Sequence, residues 1–525
     1  MNSKTKIPAL TTAVCCLFLC QPLNAQTVEL ELNKTLSPSD TLPYDISDSS
    51  IYTLDGEAYT GSIDENTNIT VDYDIIAESA DYASYTLAMV NKSFTAGDFT
   101  YNMTFPQNFW SKQMLEIAWG QTMSVKNMTL HTLDSLTGHP KLIISLNQNA
   151  TLDVREDFEF IDTRSSNAWY QTRLTIYGGG NINVAGDFTI KSEIPDPAPQ
   201  GMPVGIDFTV ETANFNVGGV LTLENGAAAH DNVFRTTSTS GGTFYRTIGG
   251  LQVSANGMIQ LAGNAEANTT ELSFTNSGVS EYVGGLLSRE VDGQIVANKL
   301  NVRMNASDAA NGRQIMRFTT TNGWKLDADT YADSASALGE VEVSSGRLDI
   351  GMYDGMKGGV LYLSAYSGRD SDAVFSATGN DSGNEIGKVV FDKMSFYHGT
   401  IAVDAIKTAS DFIQINGALT KSSDTSSLTF DISISAYDLQ QWLLAAGAEE
   451  WDLGLLSFAT AGSNVSEGDF ILALEDGVSG EIFIKELDGV STIVASLTAT
   501  VPEPAEIASL FGLFTLFAAA LRRKK

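Results

Sequence analysis

Three observations predict a mainly β protein whose central portion is an elongated parallel β-solenoid. The first is a repeat. Ala96-Gly97-Asp98-Phe99-Thr100-Tyr101 returns nearly intact as Ala185-Gly186-Asp187-Phe188-Thr189-Ile190, with Met128-Thr129-Leu130 and Phe158-Glu159-Phe160 between them. The leading apolar residues Phe99, Met128, Phe158 and Phe188 lie 29, 30 and 30 positions apart. A fixed period of this size is what stacked coils produce. The second is composition. Glycine is abundant at 46 residues, proline scarce at 12, and only 18% of residues are charged. With plentiful Thr, Ser, Asn and Val, that mixture suits strands and turns. The third is the rarity of hairpin signals. A β-sandwich would place a turn every ~8–12 residues. Asn225-Gly226, Asn256-Gly257, Asp292-Gly293 and Asn322-Gly323 are much farther apart.

The elements follow in chain order. Residues 26–90 read as an N-terminal β cap, with strands at Ile69–Tyr73 and Tyr85–Leu87, because the first coil leaves an open edge. Residues 91–365 read as the solenoid body. There Phe99, Met128, Phe158, Phe188 and Leu221 should pile up inside. Thr100, Thr129, Glu159, Thr189 and Thr222 should face outward, since side chains alternate along a strand. Leu152-Asp153-Val154, Ile182-Asn183-Val184 and Phe215-Asn216-Val217 lead into three of these steps, and the last step lengthens to 33 across Pro195–Pro199. Weaker copies follow. Ile248-Gly249-Gly250-Leu251 resembles Val283-Gly284-Gly285-Leu286, Gly257–Leu261 resembles Gly293–Ala297, and Ser345–Ile350 suggests one more coil.

Residues 366–500 read as a C-terminal β-rich region with one helix, 437–451. Leu439, Trp442, Leu443, Ala446 and Trp451 give that helix an apolar face, with Glu449 and Glu450 outside. Strands are expected at Lys388–Phe391, Leu428–Ile434, Phe470–Leu474, Glu481–Lys485 and Ser491–Leu497.

The two ends carry processing signals. Lys4 and Lys6 precede a mostly apolar stretch from Ile7 to Leu19, and Leu23-Asn24-Ala25 precedes Gln26. That is the pattern of a secretory signal, residues 1–25, cleaved between Ala25 and Gln26. Bulky Leu19 ahead of Cys20 argues against a lipoprotein site. All three cysteines, Cys15, Cys16 and Cys20, lie inside this segment, so the mature chain holds no disulfide and no cysteine metal site.

At the other end, Val501-Pro502-Glu503-Pro504 is followed by an apolar run, 507–521, and a basic end, Arg522-Arg523-Lys524-Lys525. Fifteen residues make a helix of about 22 Å, short for a span but extendable by snorkelling cations. The order of proline-bracketed glutamate, apolar helix and basic end resembles the PEP-CTERM sorting tail of Gram-negative bacteria. The resemblance covers residues 501–525 alone. It implies that Pro502, Glu503 and Pro504 are read by a membrane peptidase of the exosortase type, while the helix and Arg522, Arg523, Lys524 and Lys525 hold the precursor in the inner membrane. It further implies delivery by the secretion machinery to the cell surface or beyond, in a bacterium that makes extracellular polysaccharide. The body is similar to exported bacterial β-solenoid and autotransporter-like surface proteins.

Charge and chemistry narrow the function. The precursor carries −32, and losing both termini removes six cations, which disfavours nucleic acid and anionic surfaces as partners. His131, His139, His230 and His398 stand at no metal-ligand spacing. No nucleophile elbow, phosphate loop or His-Glu-x-x-His motif occurs. Asp153, Glu156, Asp157, Glu159 and Asp187 are the carboxylates a polysaccharide-cleaving β-helix would use, although Asp157 and Asp187 precede inward residues and suit turns. Asp370-Ser371-Asp372 and Asp381–Glu385 are oxygen-rich loops of the kind that bind calcium outside cells, but they match no calcium motif and read first as solvated turns; no cofactor other than calcium is expected. The expectation is a non-enzymatic structural or adhesive component that contacts polysaccharide. The alternative is a polysaccharide hydrolase or lyase on the same scaffold.

Overall fold

The computed structural model describes residues 28–36, 43–75, 86–104, 112–133, 141–163, 172–193, 205–225, 231–238, 242–253, 256–263, 268–321, 324–326, 329–365, 372–379, 386–407 and 409–500. The described chain is mainly β and forms a parallel β-solenoid with one α-helix.

Each early coil visits three strand columns, called here faces C, B and A. In one coil these are Lys112–Ile117, Thr122–Val125 and Met128–Leu133. The next coil repeats them as Lys141–Leu146, Thr151–Val154 and Phe158–Asp162, each strand pairing in parallel with its predecessor.

On face A the register is continuous. Leu30, Ile69, Phe99, Met128, Phe158, Phe188, Leu221 and Leu251 stand opposite one another in turn. All eight are buried. Each sits one strand spacing, ~4.8 Å, above the last, so every apolar side chain caps its neighbour. Phe158 and Phe188 stack with centroids 4.2 Å apart. The intervening Thr100, Thr129, Glu159, Thr189 and Thr222 are partly exposed on the outer side, as alternation requires.

Face B carries a longer row. Phe94, Met123, Leu152, Ile182, Phe215, Arg246, Leu272, Val302, Val341, Leu361, Met394 and Leu419 follow in register. The ladder therefore extends past residue 365 into the region expected to be a separate C-terminal unit. It also begins earlier than expected, since Val28–Leu36 and Thr67–Ile75 are its first rungs on face A. The cap proper is smaller: the hairpin Thr53–Leu54/Glu57–Ala58 lays Thr53 antiparallel against Glu31. It covers part of an edge that would otherwise template aggregation.

The corner between faces B and A explains the repeated Ala-Gly-Asp-Phe. The Asp98 N–H donates to Asn68 Oδ1 (2.8 Å), and Asn127 Nδ2 donates to Asp98 Oδ1 (2.8 Å). The pattern continues with the Asp157 N–H to Asn127 Oδ1 (3.1 Å) and the Asp187 N–H to Asp157 Oδ1 (2.8 Å). It closes with the Val220 N–H to Asp187 Oδ1 (2.7 Å). Asn68, Asn127, Asp157 and Asp187 each accept a corner N–H of the coil above, while Asp98 accepts the Asn127 side-chain amide. Gly97, Gly186 and Gly219 are required there because a Cβ would collide with the Oδ1 of Asn68, Asp157 and Asp187 respectively.

Two repeat assignments need correction. Leu251 lies on face A, whereas Leu286 pairs with Ile259 on face C, so the two Gly-Gly copies are not equivalent rungs. Gly257–Gly263 is a strand, whereas Asp292-Gly293 turns an antiparallel hairpin in which Glu290 and Val291 oppose Ile295 and Gln294. Ser345–Ile350 does belong to the ladder, with Arg347 opposite Arg313.

The helix is Ala436–Ala446, shorter than the expected 437–451. Ser435 caps its start by accepting the Asp438 N–H, and Gly447 ends it in the left-handed conformation at φ 65°. Trp451 instead opens the strand Trp451–Ala459, and its ring meets that of Trp442 at 5.9 Å. Leu439 and Leu443 are the helix residues buried in the core. Val478–Leu487 and Val490–Ala499 form an antiparallel hairpin that pairs with Trp451–Ala459 and closes this end. The expected helix 507–521 lies outside the described residues; among those residues no helix is long and apolar enough to cross a membrane.

Phe158→Asp should unfold the middle coils, because it buries an unpaired carboxylate between Met128 and Phe188. Thermal melting followed by far-UV circular dichroism should show a loss of at least ~3 kcal/mol. Wild-type melting would show that the column is not internal.

Candidate functional site

The sequence-derived carboxylates do not converge. Asp153 faces outward on face B, where Ser124 Oγ donates to it at 2.9 Å. Glu156 lies at the corner, 3.6 Å from Lys126 Nζ. Asp157 and Asp187 spend their Oδ1 atoms on the corner spine, and Glu159 stands on face A between Thr129 and Thr189. His131 meets Thr163 Oγ1 at 3.3 Å, and His398 meets Ser427 Oγ at 3.0 Å. His139, His230, Asp370, Ser371 and Asp381–Glu385 lie outside the described residues. So do the cleavage residues Ala25 and Gln26 and the sorting residues Pro502, Glu503, Pro504 and Arg522–Lys525. Among the described residues no group of three or more His, Cys, Asp or Glu is placed to hold a metal ion.

The structure gathers a different set farther along face A. Strand register puts Arg313 beside Arg347 and Asp349 beside Ser376. Asp349 is fully buried. Its Oδ2 accepts from Arg313 Nε at 2.7 Å and from Arg313 Nη2, and its Oδ1 accepts from Arg347 Nε at 2.7 Å. Two guanidinium groups thus offset one desolvated carboxylate. Next to it, Asp411 is buried. Asp411 Oδ1 accepts the Gly387 N–H at 2.8 Å, and Oδ2 accepts the Asp404 N–H at 3.0 Å, with Ser376 Oγ at 3.5 Å. Burial pushes the Asp411 carboxyl up to about 7; the two N–H bonds oppose the rise, and the carboxylates of Asp404 and Asp349 add to it.

Asp411 therefore ties the ends of three strands: Ala373–Ala377, Lys388–Phe396 and His398–Ile406. The oxygens of Asp349 and Asp411 are engaged by protein donors, and both groups are shielded from solvent. The set can carry a proton near neutrality and clamp strands. Sequence reading missed it because Arg313, Asp349 and Asp411 are brought together only by stacking. The one local signal was the Ser345–Ile350 repeat, which contains Arg347 and Asp349.

A second charged group lies on face C. Asp207 meets Arg173 Nε at 3.2 Å and Arg235 Nη2 at 3.5 Å. The hairpin Trp324–Leu326/Asp329–Asp333 carries Tyr331, whose ring lies 5.1 Å from the Arg235 guanidinium carbon. Tyr331 also covers a small apolar cluster of Val233, Met258, Ala262 and Leu287. Arg246 is different. It occupies the apolar row of face B, fully buried, and donates to the carbonyls of Tyr245 (3.0 Å) and Val210 (3.4 Å). Desolvation lowers its guanidinium to about 10.

Comparison with protein-family models and with curated proteins finds no match.

Two outcomes follow. The Asp411 carboxyl binds its proton more tightly folded than unfolded, where 3.8 is usual. Its stabilisation is complete below about pH 4 and is lost as pH rises through about 7. Asp411→Asn should flatten that part of the melting-temperature profile; parallel profiles for variant and wild type would refute the assignment. Arg246→Met should raise the melting midpoint, because a similarly sized apolar side chain avoids the cost of desolvating the cation. A fall of several degrees in calorimetry would show that the carbonyl bonds outweigh that cost.

Proposed function

We propose that this protein is an exported cell-envelope or extracellular-matrix component with a structural or adhesive role. It is sorted by its C-terminal tail. The observation that carries the reading is the face B row running from Phe94 to Leu419 in register. Twelve stacked rungs make a body on the order of 50 Å long that is held by burial and backbone hydrogen bonds. Such a body needs no disulfide, in keeping with a mature chain without cysteine. Its outer side repeats Thr, Asn and Asp at one strand spacing, as in the pairs Asn214 to Asn181 (2.6 Å) and Asn216 to Asn183 (2.9 Å). Rows of this kind suit many weak hydrogen bonds to an extended polymer.

The partners proposed are the secretion machinery, an exosortase-type membrane peptidase and extracellular polysaccharide. The precursor is tethered at the inner membrane and the processed form reaches the surface. A polysaccharide hydrolase or lyase is the second reading. The raised carboxyl of Asp411 favours it, and its burial behind occupied oxygens weighs against it.

Mass spectrometry of surface-recovered protein tests the proposal. The mature N-terminus should be Gln26, and peptides beyond the Pro502-Glu503-Pro504 element should be missing. Recovery of Arg522 on the surface form would overturn it.

A further inference from the structure

The N-terminal cap does more than cover an edge. Between residues 62–66, which follow the cap hairpin, and the strand Phe94–Thr95 lies a cleft of about 770 Å³. Its lining combines six hydroxyl side chains and Asn66 with the carboxylates Asp64 and Glu65, Lys92 and the apolar Ile63 and Phe94. Ser62, Asn66, Lys92, Ser93 and Thr95 line it and are exposed, and Phe94 supplies a partly buried ring. A cleft of this size is large enough for a few sugar units.

The turn beside the cleft carries Trp119, which is 68% exposed. Its exposed indole offers a flat apolar face with a polar N–H to a ligand ring. The turn is tied to the cleft wall. Gln121 Nε2 donates to the Trp119 carbonyl at 3.4 Å, while Gln121 Oε1 accepts from the Ser93 N–H (2.8 Å) and Ser93 Oγ (3.1 Å). Thr122, three residues after Trp119, lines the cleft and donates its N–H to Ser93 Oγ at 2.9 Å. The hydroxyl-rich wall and the aromatic turn are thus one hydrogen-bonded unit.

We propose that this cleft binds a neutral, hydroxyl-rich glycan, with Trp119 as the stacking platform at its rim. An indole face packs against the C–H face of a sugar ring, while Ser, Thr and Asn side chains exchange hydrogen bonds with its hydroxyls. The net charge of −32 repels polyanions and selects for an uncharged polymer. The inference rests on the adhesive reading and gives it a place and a ligand class.

Native affinity electrophoresis of the full chain tests it, in gels cast with hydroxyethylcellulose, dextran, galactomannan or alginate. At least one of the three neutral polymers should retard the protein, and alginate should not. Trp119→Ala should weaken the retardation about fivefold or more. Thr95→Trp, at an exposed position, should do the same by filling the cleft. Tyr437→Ala, which removes another exposed aromatic far along the chain, should leave binding unchanged. Retardation undiminished in both cleft variants would overturn this site and leave the adhesive reading standing. Retardation by alginate alone would overturn the neutral ligand. No retardation by any polymer would overturn the inference, while the processing of the termini would still be judged by mass spectrometry.

Discussion

The structure depends on vertical registration: each inward side chain must sit directly above its counterpart one coil earlier. Backbone hydrogen bonds between coils set the spacing, and the apolar rows fill the space that the spacing creates. Neither works alone. A slip of one residue would turn Phe158 and Phe160 to solvent and bring Glu159 inside. That penalty falls on every rung at once, so the register holds from Leu30 to Leu251 on face A without a single polar interruption.

Registration also places demands on the corners, where the strand ladder lapses and N–H groups would go unpaired. The Asn68–Asp98–Asn127–Asp157–Asp187 spine answers this need by passing side-chain oxygens from coil to coil. The same oxygens fill the volume over Gly97, Gly186 and Gly219, which ties each glycine to the acid or amide of the preceding coil. A motif that looks like a turn signature within one coil is a contact between two coils.

A charge enters the inward row of face B where the coils change character. Arg246 breaks the face B row at the coil where Tyr245 is exposed and the chain moves on to the Gly249-Gly250 step. Beyond it, the repeat lengths vary. Asp349 between two arginines and Asp411 between two backbone N–H groups each compensate a desolvated group locally, as Asp207 and Arg235 already do on face C before it. These clusters join segments that the regular spine no longer serves.

The sequence by itself determined the β class, the period and the inward row from Phe99 to Leu221, because those features repeat along the chain and each copy testifies for the others. It also marked the strands Phe470–Leu474 and Ser491–Leu497 through local alternation. Asp292-Gly293 was legible as a turn dipeptide and has positive φ at both residues, although its distance from other such pairs concealed its hairpin role. Only the tertiary structure decided which face each rung occupies once the repeat loosens, as the mismatched Gly-Gly copies demonstrate. It alone decided the helix end at Gly447, where the left-handed residue outweighed an apolar pattern running on to Trp451. It alone assembled Arg313, Asp349 and Asp411, and tied the Trp119 turn through Gln121 to Ser93. Those groups are distant in the chain and share no local pattern. Their proximity comes from the stacking of coils, which adds one dimension that a linear reading lacks.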